Sequence, residues 1–308
     1  MTFEKLLEEY FFARLLRPDT QDCYRTAVKQ FNHWRNVLPT EVTPHMVLEW
    51  RSYLLNVRCI KPVSWNHYMR HLRALYNFAI EQGLLTQFTN PFQKTSLRES
   101  RKKKKTLSRE QILNSRKVLN HFIEREKAQR GYRSPLCPAW FWLAMIETFN
   151  YTAIRLNQLL HLRVRDIDLR DNTLFIRSEG SKSHDEHIVP VASRLRPYLE
   201  HLLLQAKIQG MRGDDQLFNI NRFSQWTRRQ GKTMTENQIS YFFAKLSDAC
   251  HSRFSSHRYR HTVATELMQK PEQNLYVTQK LLGHRDIKVT LSYIEHNVEM
   301  LRSCVERD

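Results

Sequence analysis

Cysteine is scarce in this chain, and its five copies are scattered. Cys23, Cys59, Cys137, Cys250 and Cys304 form an odd set with no CxxC pair. That spacing argues against a disulfide framework and suits free thiols in a reducing cytosol, the expected location. Long apolar runs are also missing. No stretch approaches the roughly 18 consecutive apolar residues of a membrane-crossing helix. The opening MTFEKLLEEY is acidic and lacks the basic-then-apolar layout of a signal peptide. No internal repeat is present. Acidic side chains are the last deficit. Asp and Glu total 31 against 49 Lys and Arg, which leaves a net charge of +18 and an isoelectric point near 9.9. Such an imbalance calls for a polyanionic partner, nucleic acid first and an anionic membrane surface second.

What is present suffices for packed cores: 41% of the 308 residues are hydrophobic, and the length favours two domains over one. Phe3, Leu6, Leu7, Tyr10 and Phe11 form one helical stripe. Tyr24, Ala27, Val28, Phe31 and Trp34 form a second that ends before Pro39. Thr43–Pro44 is a cap and first-turn pair for a third helix to about Val57. Ser64 is expected to cap a fourth, with Tyr68, Leu72, Leu75, Tyr76 and Ala79 inside and Gly83 as its stop. The spacing thus predicts a four-helix domain over residues 1–92. Its fourth helix carries His67, Arg70, His71 and Arg73 away from much of the apolar stripe. That face is either solvated or turned to DNA, and Arg70 and Arg73 are the candidate phosphate contacts. Residues 93–106, QKTSLRESRKKKKT, hold no apolar run and set Lys102, Lys103, Lys104 and Lys105 in a row. They are expected to form an extended linker along a phosphate backbone; the alternative is a solvated basic linker or a localisation tag.

Ser108 and Gln111 make a capping-box pair that opens a second domain, residues 107–308. A helix to about Arg130 precedes AWFWLAMIETFN, a buried helix that runs into YTAIRLNQLLHLRVRDID. NTLFIRS and EHIVPV read as strands and flank SEGSKSHD, a turn with Lys182 near its tip. Helical patterns return at 193–207 and 235–248. The fold class is therefore mainly α: a four-helix N-terminal domain, then a mostly helical C-terminal domain with a small antiparallel sheet.

The densest chemistry lies in residues 255–295. Ser255 and Ser256 are cap residues, and Pro271 closes the segment that follows. His257, Arg260, His261, Ala264, Leu267 and Met268 share one helix face, polar in its first turn and apolar afterwards. Asn274 is expected to cap the next helix, which Gly283 ends. His284 follows at a chain reversal, and a short helix from about Asp286 carries Tyr293. Two cations, one or more imidazoles and a phenol suit an anion that also needs a nucleophile.

Five landmarks stand in order: Arg155 in TAIRLNQLL, Lys182 in the hairpin turn, HRYRHT at 257–262, LLGH at 281–284 and Tyr293. This set resembles the tyrosine recombinase family, the phage-integrase-like site-specific DNA recombinases, over nearly the whole chain. The first domain is similar to the family's helical core-binding domain, including Asn90–Pro91 at its end. The resemblance implies the DNA breaking-rejoining fold. It also implies Arg155 and Arg260 as the two family arginines, Lys182 as the hairpin lysine and His257 as the first residue of H-x-x-R. His284 takes the later His/Trp position, and Tyr293 is the nucleophile. Three positions depart from the pattern. Ala153 stands for the usual Gly, Gln158 for a frequent acidic residue and Tyr259 for the usual Leu. None removes a reacting group.

The residue types fit that chemistry. Transesterification at a phosphodiester builds charge on the non-bridging oxygens, and two guanidiniums can clamp them bidentately without losing their own charge. Such donors supply on the order of 3 kcal/mol each. A phenol with pKa about 10 needs its proton taken or its anion stabilised. His257 and the nearby cations are placed for that, and the sequence leaves the accepting group open. Lys182 is the favoured acid for the leaving 5′-oxygen, and His284 is expected to hydrogen-bond the same phosphate. No cofactor and no metal is required. By resemblance, attack gives a 3′-phosphotyrosyl enzyme that a free 5′-hydroxyl reverses without ATP. Resemblance also implies double-stranded recombination sites as partners, accessory proteins, and cuts made two at a time through a Holliday junction. A homotetramer on DNA follows, in which the tail with Val298, Leu301 and Val305 docks on a neighbour or packs at home.

Other patterns read more plainly. His257 and His261 are four apart, but the Glu of a HEXXH zinc motif is replaced by Arg258. His67 with His71, and His184 with His187, have no Cys or carboxylate set around them and are expected at the surface or near DNA. Asp166 and Asp168 are expected to hold a turn. Two other functions use the same residues: a silent DNA-binding factor on this scaffold, and a type IB topoisomerase-like relaxing enzyme. Within the family, a two-domain mobile-element integrase or a Xer-like resolvase is expected. The first domain starts too early for an arm-binding module, and the interval from Lys182 to His257 is short for the extra helix of integron integrases.

Overall fold

A computed structural model describes residues 1–86, 89–99, 104–129, 131–132, 134–180, 185–224 and 232–294. The chain divides into two compact units, Met1–Lys102 and Lys103–Asp308. The boundary falls inside the stretch expected as a linker. Among the described residues no helix is long and apolar enough to cross a membrane.

Among its described residues, unit 1 holds four α-helices: α1 (Phe3–Arg14), α2 (Pro18–Trp34), α3 (Pro44–Ser52) and α4 (Pro62–Glu81). A π-helical turn, Tyr53–Val57, extends α3. Pro18, Pro44 and Pro62 sit at helix starts, where a missing N–H costs nothing. Helix α4 therefore begins at Pro62, two residues before the expected Ser64 cap. Aromatic edges fill the core: Trp50 meets Phe31 at 5.0 Å and Trp65 at 5.3 Å, ring centre to ring centre. Phe92 completes it against Tyr76.

Residues 92–97 are not a free linker. Trp65 Nε1 donates to the Thr95 carbonyl at 2.8 Å, and the Asn66 amide exchanges two 2.8 Å hydrogen bonds with the backbone of Leu97. Arg73 is likewise engaged within the protein. Its guanidinium donates to the Phe92 carbonyl at 3.3 Å and to Ser96 Oγ at 2.9 Å. It straps the returning chain to α4, whereas Arg70 stays exposed on that helix. Lys102 and Lys103 lie outside the described residues.

Unit 2 begins with α5 (Arg109–Ala128), α6 (Ala139–Thr152) and α7 (Leu156–His161). Strands β1 (Ile167–Asp168), β2 (Thr173–Ile176) and β3 (His187–Pro190) pair antiparallel in that order. Then follow α8 (Arg196–Ile208), α9 (Ile220–Phe223), α10 (Glu236–Ala249), α11 (Ser256–Leu267), α12 (Pro271–Leu282) and α13 (Ile287–Leu291). The capping box of Ser108 and Gln111 opens α5. Helix α6 is buried along almost its whole length and is the post on which the unit is built. Trp142 stacks on Phe242 of α10 at 4.4 Å. The turn before the sheet is held by its carboxylates. Asp166 takes both arms of Arg177 and the backbone N–H of Arg163, and Asp168 accepts from Arg170 and Asp171. Pro271 opens α12 rather than only closing the segment before it. Asn274 lies inside α12 and donates to the Leu267 carbonyl at 2.9 Å, tying α12 to the end of α11.

Helices α5 and α6 are pinned by Arg116 and Glu147, joined through two hydrogen bonds of 2.6 and 2.7 Å, with the Glu147 side chain 2% exposed. Removing one partner of such a pair strands the other charge in the core. Arg116→Ala is expected to destabilise unit 2 by roughly 3 kcal/mol. Chemical denaturation of the purified chain checks this, and an unchanged midpoint would show that Glu147 finds solvent instead.

Candidate active site

The first element of the site is a left-handed corner. Helix α6 ends at Ala153 with φ 53°, and the Ala153 carbonyl turns inward to accept Arg260 Nη1 at 2.7 Å. Helix α7 starts three residues later, at Leu156, and its N-cap is Arg155. Gln158 Oε1 accepts the Arg155 backbone N–H at 2.7 Å. Gln158 thus performs a capping role that needs only an acceptor, so an amide there keeps Arg155 in place without adding negative charge. Gly180 packs against this corner so tightly that a Cβ would lie 2.8 Å from Gln158 Cα. Asn157 closes the join by donating to the Gly180 carbonyl. This fastens the start of the β2–β3 connection beside Arg155. Lys182, in that connection, lies outside the described residues.

The second element is α11. Ser255 Oγ caps it by accepting from Arg258 N–H, and its first turns present His257, Arg260 and His261. Tyr259 points the other way, 1% exposed among Phe243 and Phe254, with its hydroxyl 3.3 Å from Ser115 Oγ. A tyrosine in place of leucine is absorbed by the core.

The third element is the end of α12. Gly283 adopts φ 59° as the C-cap, and a Cβ there would meet the His187 ring at 3.0 Å. Both the backbone and the space require glycine. The cap leaves the Leu282 carbonyl facing the site, where it accepts Arg260 Nη2 at 2.8 Å and Arg155 Nη1 at 3.3 Å. One carbonyl therefore sets the two guanidiniums side by side. Among the described residues neither arginine pairs with a carboxylate. Burial and the neighbouring Arg155 push the Arg260 pKa down to about 10, still charged at neutral pH, and burial lowers that of Arg155. Two adjacent cations without a counter-ion make an anion site.

Tyr293 closes the site from two residues beyond α13. Its side chain is 4% exposed, in a small cluster with Ala153, Ala264, Met268 and Leu282. His284 bridges the parts: one ring nitrogen lies 3.0 Å from Arg260 Nη2, the other 2.9 Å from Thr290 Oγ1, and its ring stacks on Tyr293. The imidazole bonded to the phenol is His261, whose Nδ1 is 3.1 Å from Tyr293 Oη. His257, one turn earlier, stands 6.2 Å from the His261 ring centre and borders a groove of about 780 Å³ with Lys105, Arg253 and Arg258. Burial raises the Tyr293 pKa, and Arg260 and Arg155 oppose that rise.

Arg155, Arg260, His284 and Tyr293 thus converge, with His257 at the rim. Three further residues join them. His261 carries a signal in sequence, since it follows Arg260 on the polar turn of α11. His187 carries a fainter one: it shares the inner face of β3 with Val189, and its buried Nε2 has no hydrogen-bond partner among the described residues. Lys104, expected along DNA, instead places Nζ 3.2 Å from the Tyr293 ring centre and 2.6 Å from Ser292 Oγ. Burial and Arg260 push its pKa down to about 8. Nothing in the local sequence separates Lys104 from its three neighbours.

Residues 138–300 match the phage integrase family, and residues 3–84 match the phage integrase N-terminal SAM-like domain. A Pseudomonas syringae sequence named as a tyrosine recombinase of the XerC kind is 40% identical over 98% of this chain. The match spans 63% of that relative's length. A Pseudomonas aeruginosa sequence of the same name is 41% identical over 98% of this chain and 71% of its own. Among solved structures, the Tn1549 transposon integrase bound to a circular intermediate DNA superposes over the full length of both chains, with a TM-score of 0.71 and 17% identity. A lambda integrase dimer on a core site gives a TM-score of 0.67 over 96% of this chain and 77% of that one, at 18% identity. The chain belongs to the phage integrase family, the tyrosine-type site-specific DNA recombinases.

His261 and His284 yield a pH signature. Burial and the surrounding cations push both pKa values down to about 4, against 6.5 for a free imidazole. Between those values the unfolded chain binds protons that the folded site refuses, so stability falls as pH drops from 6.5 towards 4. The thermal midpoint is expected to fall across that window and to level above pH 7. The double substitution His261→Gln with His284→Gln should flatten the slope. An equally steep slope in that variant would assign the acid sensitivity elsewhere.

Proposed function

We propose that this chain is a site-specific DNA recombinase or integrase that cuts and rejoins duplex DNA through Tyr293. The observation that carries the reading is the phenol of Tyr293 lodged beside two guanidiniums that share one backbone carbonyl and, among the described residues, lack a carboxylate partner. Arg155 and Arg260 take the non-bridging oxygens of the scissile phosphate, and His284 steadies the Arg260 guanidinium by accepting from it. Tyr293 Oη attacks phosphorus, the P–Oη bond forms and the bond to the 5′-oxygen breaks. His261 receives the phenolic proton: it is neutral, and its Nδ1 is within bonding distance. Phosphate charge beside the ring raises the imidazole's basicity towards the working range. Lys182 protonates the leaving 5′-oxygen. Energy stays in the 3′-phosphotyrosyl ester, so the reverse attack reseals DNA without ATP.

Arg70, Lys105 and the basic groove beside His257 supply sequence-independent phosphate contacts. The recombination partners are double-stranded sites, exchanged through a Holliday junction by a homotetramer with accessory proteins, in the bacterial cytoplasm and on the nucleoid. The tail expected to dock on a neighbour lies outside the described residues. The similarity to the Tn1549 and lambda integrases, both solved in complex with DNA, supports DNA as the partner here.

A nicked suicide duplex carrying the cognate site should trap a covalent adduct with the wild type. Tyr293→Phe should bind that duplex with unchanged affinity and form no adduct. Specific binding without any wild-type adduct would overturn the reading in favour of a silent DNA-binding factor. His261→Ala should keep binding and slow adduct formation by about 100-fold, the usual range for losing a proton acceptor. If the rate is unchanged, the proton leaves by another route.

A further inference from the structure

Away from the catalytic cluster, unit 1 brings Cys23 of α2 against His67 and His71 of α4. One ligand atom from each of the three residues lies within 4.8 Å of the others. We propose that these side chains form a binding site for a zinc-class transition-metal ion. The donor set is one thiolate and two imidazoles, which selects borderline-soft divalent ions over magnesium or calcium. His67 and His71 are four apart on one helix, so both rings project from the same face, their centres 4.4 Å apart.

Second contacts prepare the site. His71 Nδ1 is 2.7 Å from the His67 carbonyl. A carbonyl only accepts, so Nδ1 carries the proton and Nε2 keeps the lone pair a metal needs. A backbone acceptor behind a ligating imidazole is the usual device for fixing its tautomer. The Tyr24 ring meets His71 edge-on at 4.6 Å and limits its rotation. Cys23 and His71 are half-buried and His67 is exposed, so an ion can enter from solvent. Tetrahedral coordination with bonds of about 2.0–2.3 Å places ligand atoms about 3.3–3.8 Å apart. Closing from 4.8 Å asks for about 1 Å of side-chain movement, which an exposed histidine allows.

A bound ion would clip α2 to α4, the helix that presents Arg70. It would also protect a thiol that otherwise faces oxidants.

The test uses the full chain and cobalt(II) as the probe. Wild type, stripped of metal, should take up one equivalent of cobalt with a thiolate-to-cobalt charge-transfer band and tetrahedral visible bands. Zinc should displace it and raise the melting midpoint by about 5 °C. Cys23→Ser and His67→Gln should each abolish the charge-transfer band, while Cys59→Ser keeps it. Both α2 and α4 tolerate these polar surface changes, and circular dichroism of each variant confirms that it is folded. A band that survives Cys23→Ser, or no thiolate band in wild type, would overturn the proposal. Adduct formation at Tyr293 should proceed in both variants, so this result stands apart from the recombinase reading.

Discussion

The catalytic unit depends on one constraint: two guanidiniums are held at fixed positions by backbone carbonyls rather than by carboxylates. Ala153 and Leu282 hold Arg260, and Leu282 reaches Arg155 as well. A neutral acceptor orients a guanidinium without cancelling its charge. A carboxylate in the same place would bind more tightly and then compete with the phosphate. The cost is mutual repulsion. Unit charges 4 Å apart interact by about 4 kcal/mol at an effective dielectric of 20. Burial adds to this, as the lowered pKa of Arg260 records. The rest of the unit provides the rigidity that keeps the pair together: α6 through its buried length, α7 through its cap and α12 through its glycine end. In the proposed reaction, a phosphodiester gaining charge in transit relieves the repulsion more than the resting ester does, which is the condition for catalysis.

Departures from the family pattern are tolerated because each lands on a task that another chemistry performs. Ala153 bears left-handed strain that glycine would not, but its methyl is buried against Ala264, Met268, Leu282 and Tyr293, and that burial offsets part of the cost. Gln158 caps α7 with a carbonyl oxygen where an acid would use a carboxylate. Tyr259 fills aromatic core space behind Arg260. What the site conserves physically is the direction of three groups, the Ala153 and Leu282 carbonyls and the Arg155 side chain.

Much of this was legible in sequence. Apolar periodicity gave most helices of both units, and the strand pair followed from alternation around a Gly- and Ser-containing turn. The polar first turn of α11 and the glycine end of α12 located the cluster. The misses share a cause: long-range packing. Pro271 reads equally as a stop and as a start, and only the contact of Asn274 with Leu267 shows that α12 begins there. Arg73 carries the pattern of a DNA contact, yet the returning chain at Phe92 and Ser96 occupies it. Cys23 is far from His67 in sequence, so helix packing alone reveals their proximity. Lys104 is one of four identical residues, and its place over Tyr293 depends on where the chain enters unit 2.

That lysine bears on how the resting site opens. Tyr293 is nearly inaccessible, with an imidazole on its hydroxyl, another stacked on its face and the Lys104 amine over the ring. A phosphate approaching the arginines must come within bonding distance of the same hydroxyl, so at least one cover has to yield. His261 is fixed within α11, and His284 is tied to Arg260 and Thr290. Lys104 is on neither a helix nor a strand, and its contacts are a ring face and the single hydroxyl of Ser292. A phosphodiester offers that amine a charged partner in place of a quadrupole, which is the stronger attraction for an ammonium. On the proposed reading, the least costly opening turns Lys104 from the phenol to the DNA backbone, uncovering Tyr293 only where a phosphate is present to receive the charge.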